Sequence, residues 1–295
     1  MTDDAEPFFR RDGALLVPTP QARGPWNPNS MHGRVLAGLL GHTVEQRFGD
    51  AGFQFARLTV DLFRLPMMAP VSISVRPSRE GNRIKVIEGV IESEGQEIAR
   101  GTVVMLRRAD QPEGTVWTPP AWDVPRPDEI AAPVYRAEGG PPPVIPSRAG
   151  RDNGGAEGEE PQAPSPSATA PPPFRPMWET RPITGSGFGG VEQKRAWIRE
   201  SRLLVAGEPL TPFVRAALAA DYTNPFANSG DRGLNFVNAD ITLYLHRLPQ
   251  TEWIGFEVAS HQSEEGIAVG ECNLYDERGA IGHALVCGVA NSRAR

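Results

Sequence analysis

The sequence is short of several things at once. It holds 2 cysteines in 295 residues, Cys272 and Cys287. Such a pair makes neither a disulfide framework nor a metal knuckle, which suits a reducing compartment. Its 5 histidines are scattered, without the close spacing that ligation needs, so no metal is expected. Positive charge is in deficit, with 30 Lys and Arg against 36 Asp and Glu; with no basic block either, no nucleic-acid partner is expected. No apolar run approaches the length of a membrane span, and the acidic residues 1–7 lack the basic-then-apolar order of a signal peptide. A cytoplasmic protein with no membrane span is the expectation.

Proline, by contrast, is abundant and concentrated. Of 30 prolines, 17 fall between Pro119 and Pro182. This stretch includes Pro141-Pro142-Pro143, Gly154-Gly155 and Pro171-Pro172-Pro173, with few large aliphatic residues. It cannot bury enough apolar surface to offset the entropy of ordering. Residues 126–182 therefore read as a Pro/Gly-rich linker, with a disordered core over about 137–177.

The flanking halves carry the periodicities of folded structure. In the first, 8–16 reads as an opening strand. Ser30 then reads as the N-cap of a helix from Met31 to about Phe48. Val35, Leu36, Leu39, Leu40 and Val44 recur at helical spacing. Gly33, Gly38 and Gly41 within that helix suggest close contact, expected with a sheet wrapped around it. Four β-rich segments follow, at about 53–64, 71–77, 83–93 and 97–107, separated by turn residues. The second half repeats the order: extended segments over 188–200 and 203–205, then a helix from Thr211 to about Ala220 with Pro212 in its first turn. Strands are expected at about 235–247, 253–260, 267–275 and 280–290. Arg64-Leu65-Pro66 matches Arg247-Leu248-Pro249, and each ends the strand after its helix. An internal duplication of an α+β unit, one helix against an antiparallel meander, accounts for this.

Several of these residues carry a family resemblance. Trp197-Ile198-Arg199, Ala219-Ala220-Asp221, the run Asp240 to Arg247 and Leu274-Tyr275-Asp276-Glu277-Arg278-Gly279 resemble the C-terminal half of acyl-CoA thioesterase II-type proteins. His32-Gly33-Arg34-Val35 is similar to the helix start in the N-terminal half of the same thioesterase-like superfamily. The resemblance implies a tandem, or double, hotdog: two long helices side by side, each wrapped by antiparallel sheet. The boundaries that follow are an N-terminal hotdog over 1–125, the linker over 126–182 and a C-terminal hotdog over 183–295. It also implies hydrolysis of acyl-CoA to free acid and CoA, an acyl-CoA partner and no cofactor. Homo-oligomers are expected because open sheet edges invite pairing.

Thioester hydrolysis needs a held water, a group to take its proton and donors for the developing oxyanion. Asp221 is the candidate carboxylate. It ends the second helix, where the negative end of the dipole disfavours it, a placement easier to understand if the group has a task. The competing reading is a solvated turn aspartate. In the resembled family this Asp works with a Thr and a Gln that help to hold the water. The matching positions here are Asn238 and Cys287, so two of three members differ. Asn238 keeps hydrogen-bonding capacity, whereas Cys287 is a poor donor that suits a small residue of the last strand. For the oxyanion, the backbone at His32 and Gly33 offers helix-start amides, and Gly33 lets a carbonyl approach closely. Packing of Gly33 on a strand is the competing reading.

Two rival functions stand beside hydrolysis. A hotdog enoyl-CoA hydratase would carry Asp-x-Asn-Pro-x-His. The stretch here runs Asp221-Tyr222-Thr223-Asn224-Pro225-Phe226-Ala227-Asn228, with one residue too many and no His. A non-catalytic acyl-thioester-binding hotdog is compatible with the altered Asn238 and Cys287 positions.

Overall fold

The structure, a computed structural model, describes residues 6–133, 178–184 and 189–291. In the first half come β1 (Phe9–Asp12), β2 (Leu15–Pro18), α1 (Gly33–Phe48), β3 (Phe53–Leu62), β4 (Val71–Glu80), β5 (Ile84–Ser93) and β6 (Gln96–Arg107). The second half opens with β7 (Trp178–Thr184), β8 (Arg195–Glu200), α2 (Pro212–Ala220) and α3 (Thr223–Ala227). It continues with β9 (Ser229–Gly230), β10 (Gly233–Leu234), β11 (Phe236–Asn238), β12 (Asp240–Leu245), β13 (Trp253–Glu264), β14 (Ile267–Asp276) and β15 (Gly279–Ala290).

One antiparallel sheet runs β1-β2-β4-β5-β6-β3-β12-β15-β14-β13-β8-β7, with β11 beside β15. The order reads the same from both ends in terms of repeat partners. Its centre is the β3–β12 pair, where Thr59 lies opposite Thr242 and Asp61 opposite Asp240. Thr59 and Thr242 are also equivalent by the Arg64/Arg247 spacing, so the duplication has folded onto a pseudo-twofold axis. Each repeat arginine anchors its own last hairpin. Arg247 holds Asp276 with two 2.6 Å bonds and Gly279 O at 2.8 Å, while Arg64 donates to Glu97 O at 3.1 Å.

The sheet's inner face covers α1 and α2, which run antiparallel. Leu36, Leu39 and Leu40 are fully buried, as are Leu218, Leu58 and Leu243. Burying such side chains contributes roughly 1.5–3 kcal/mol each. Gly38 is where the helices come closest, since a Cβ there would lie 2.6 Å from Leu218 Cδ2. The expectation that the α1 glycines face sheet is therefore corrected at Gly38 and Gly41, which face α2.

Other departures have local causes. α1 is capped by His32 rather than Ser30, because the Ser30 hydroxyl donates to Asn27 O within the preceding turn. Of the two long helices expected, only α1 is long, at 16 residues; α2 ends after 9, and the chain turns into α3. The single opening strand is a hairpin turned at Gly13, φ +57°. The strand expected over 235–247 breaks at Ala239, whose N–H and C=O bond Cys287 O and Leu62 N. β7 begins inside the span read as linker and crosses its end at 182. It is an edge strand, where Pro182 needs no ladder partner, and Trp178 anchors it in the core. The 137–177 stretch read as the linker's disordered core lies outside the described residues. Trp122, also assigned to the first half, stacks on Tyr275 at 4.1 Å and sits over Gly255 of the second-half sheet. No helix among the described residues is long and apolar enough to cross a membrane.

Candidate active site

Antiparallel packing brings the start of α1 to the end of α2. There Asp221, the residue capping α2, is 3 % exposed. His32 Nδ1 lies 2.9 Å from one carboxylate oxygen, and Asn238 Nδ2 donates to the other at 2.9 Å. A carboxylate only accepts, so His32 carries its proton on Nδ1 in this contact, which outweighs the longer 3.3 Å approach of the Arg34 N–H to the same nitrogen. A Cβ on Gly33 would sit 3.5 Å from both Asp221 oxygens. The first turn of α1 thus faces the carboxylate directly, and its positive dipole end offsets the unfavourable end of α2.

Burial acts to raise the Asp221 pKa. The hydrogen bond and charge of His32, the Asn238 amide and the Arg34 charge together outweigh it, and the carboxyl is held below its ordinary value. It is ionised through the neutral range, a strong acceptor and a weak base. Arg34 supplies the permanent cation that acts on Asp221. It is completely buried, bonded to Glu200 at 2.7 Å, with its guanidinium over the rings of Phe8 and Trp178. Burial opposes the charge of both partners, pushing Arg34 down and Glu200 up, and each charge counters the shift of the other. Trp178 also meets the His32 ring edge-on at 5.9 Å.

The structure brings together Asp221, Asn238, His32 and Gly33. Cys287 stands apart, on the exposed face of β15 between buried Val286 and Gly288. Its amide donates to Asp240 Oδ1 at 2.6 Å. Burial first, then the Asp240 charge, push the Cys287 thiol up, so it stays protonated. Asn238 spends both amide hydrogens, on Asp221 and on the Asp240 carbonyl at 3.3 Å. It therefore holds the carboxylate rather than donating to a water. The His32 amide is also occupied, by Ala22 O at 2.9 Å. Gly33 is the helix-start amide without a hydrogen bond among the described residues. The His32 side chain as a direct partner of Asp221 was not legible in the sequence; the contact spans two repeats and exists only because α1 and α2 run antiparallel.

The pseudosymmetric end of the helix pair is built otherwise. Thr211 caps α2 and donates to Glu45 of α1, and His42 Nε2 lies 2.6 Å from Glu208 Oε2. By the repeat spacing Asn238 falls on Phe55, whose ring stacks on Phe213 at 4.2 Å. A cavity of about 520 Å³ opens at this second end, with Arg108, Leu210, Pro212, Arg215 and Arg247 among its lining residues.

Residues 22–106 match the model of the acyl-CoA thioesterase N-terminal domain, and residues 155–285 match that of the acyl-CoA thioesterase C-terminal domain. The chain belongs to the acyl-CoA thioesterase family and has a double hotdog fold. Among solved structures, it resembles a conserved hot dog protein of unknown function from Alicyclobacillus acidocaldarius, with TM-score 0.67, 16% identity and 96% of each chain covered. The tesB protein of Mycobacterium avium subspecies paratuberculosis superposes with TM-score 0.63 at 13% identity, over 96% of this chain and 95% of that one. The acyl-CoA thioesterase II TesB2 of Mycobacterium marinum gives 0.57 at 15%, over 87% and 89%. At these identities the structural likeness establishes the fold alone. No curated protein sequence matches the chain.

Proposed function

We propose that the protein hydrolyses acyl-CoA thioesters by attack of a water held at Asp221. The observation that carries this is the buried carboxylate clasped between His32 and Asn238 and facing the first turn of α1. Each carboxylate oxygen has one more lone pair than its observed partner uses, so a water can still donate to it. As the water oxygen bonds to the thioester carbonyl carbon, Asp221 takes its proton. The oxyanion accepts from the Gly33 N–H at the positive end of α1. Collapse of the tetrahedral species breaks the C–S bond, and the proton passes to the departing CoA sulfur. His32, Asn238 and Arg34 keep Asp221 ionised between turnovers; its low basicity makes orientation of the water its main contribution. Cytoplasmic location and assembly into homo-oligomers belong to the same proposal.

One observation favours a second reading, an acyl-thioester binder. Both Asp221 oxygens already have partners, and the Asn238 amide has no hydrogen left for a water. Acyl-CoAs of graded chain length, assayed for thiol release and for binding, separate the two. Release by the wild type, lost in Asp221→Ala with binding retained, supports hydrolysis. Absence of release at every chain length contradicts it and leaves the binder.

A further inference from the structure

The carboxylate does not end its hydrogen bonding at Asn238. Asn224 Nδ2 lies 3.3 Å from Asn238 Oδ1, Asn228 Nδ2 lies 3.0 Å from Asn224 Oδ1, and His261 Nδ1 lies 2.8 Å from Asn228 Oδ1. Three carboxamides therefore connect a buried carboxylate to an exposed histidine on β13. The direction of every link follows from the first. Asp221 can only accept, so Asn238 must turn its NH2 inward and its oxygen outward. That oxygen must receive the NH2 of Asn224, and the same logic repeats at Asn228. His261 must then donate from Nδ1, which leaves Nε2 to accept from the Ser263 hydroxyl 3.3 Å away.

The fold is shaped around this chain. Asp221, Asn224 and Asn228 stand at i, i+3 and i+7 along the α2–α3 stretch, a spacing that lines one helical face. Asn224 and Asn228 are 2 % and 4 % exposed. The Asn224 amide is fixed a second time by Phe236 O at 3.2 Å. Gly270, the register partner of His261, leaves the space that the Asn228 side chain fills; a Cβ there would lie 2.6 Å from Asn228 Oδ1.

We propose that Asn224, Asn228 and His261 are positioning residues for Asn238, an aligned chain of amide dipoles that keeps the Asn238 NH2 on Asp221. The proposal rests on the thioesterase reading for its effect on rate, though not for the chain itself. Reversal of the Asn224 link would set its oxygen against the Asn238 oxygen, replacing an attraction by a repulsion. Aligned hydrogen bonds also polarise one another, so each link strengthens the last. The groups facing His261 are Asn228 at the C-terminal cap of α3, Phe236 from β11, Ser263 on its own strand and Lys194, whose charge adds to burial in disfavouring a second ring proton.

The test combines 15N NMR of the side chains in the full-length protein with steady-state hydrolysis of an acyl-CoA. Neutral His261 should carry its proton on Nδ1. Asn228→Asp, equal in size but unable to donate, should shift the Asn238 carboxamide resonance. It should also lower kcat between about tenfold and a hundredfold with KM little changed, as much as Asn228→Ala. A packing role alone predicts that Asn228→Asp is silent. Should that variant not fold, His261→Ala at the exposed end supplies the same readouts. An Nε2–H tautomer, an unmoved Asn238 resonance or an unchanged kcat overturns the proposal. Coupled resonances in a protein that releases no CoA support the chain and defeat the thioesterase reading instead.

Discussion

The two ends of the antiparallel helix pair hold the same kinds of group and do different things with them. Each has a buried histidine beside a carboxylate, His32 with Asp221 and His42 with Glu208. At the first end the carboxylate is buried, terminates a helix and faces the open start of the other helix. At the second, Glu208 is partly exposed and shared among His42, Gln46 and Arg11. The space answering to Asn238 is filled there by the Phe55–Phe213 stack. A duplicated fold supplies two equivalent corners, and the side chains have made one a polar site and packed the other. The large arginine-lined cavity lies at the packed corner, so volume and chemistry point to opposite ends.

The comparison can be broken at the polar corner first. Asp221→Asn keeps the shape and removes the charge; it should cut hydrolysis by about 10²–10⁴-fold with acyl-CoA binding retained. Gly33→Val should follow at on the order of 10²-fold, because its side chain fills the space between Leu62 and the carboxylate; initial rates at saturating substrate check it. Between the corners, Gly38→Ala forces Leu218 aside and should destabilise the whole chain by about 1–3 kcal/mol, read as a lower denaturation midpoint without a selective loss of kcat. The smallest effect concerns pH. With Asp221 held below its ordinary value of about 3.9, the acid limb of kcat/KM should fall below that value and the profile should be flat through neutrality. A depressed carboxyl adds stability above its unfolded pKa and loses it as pH falls through the folded one.

The architecture was legible because it is written in countable features: two helical periodicities, four segments of strand character after each helix and a repeated Arg-Leu-Pro. β7 was not, because edge strands tolerate the prolines that mark a linker, and what seats it is the burial of Trp178. Asp221 and Asn238 could be found through the family pattern. The role of the His32 side chain could not, since it depends on helix direction. The amide chain had left a trace, the Asp221, Asn224, Asn228 spacing, which is a helical face rather than the turn motif it superficially resembles. Cys287 shows the opposite case, a position equivalent by alignment whose side chain the β15 alternation turns outward.

The matched histidines give the most direct test of the central claim that only one corner is catalytic. kcat/KM for a single acyl-CoA should be measured for His32→Ala and His42→Ala side by side, each normalised to the folded fraction. The account predicts a fall on the order of a hundredfold for His32→Ala and within about twofold for His42→Ala. Equal losses, or a larger loss from His42→Ala, would contradict it.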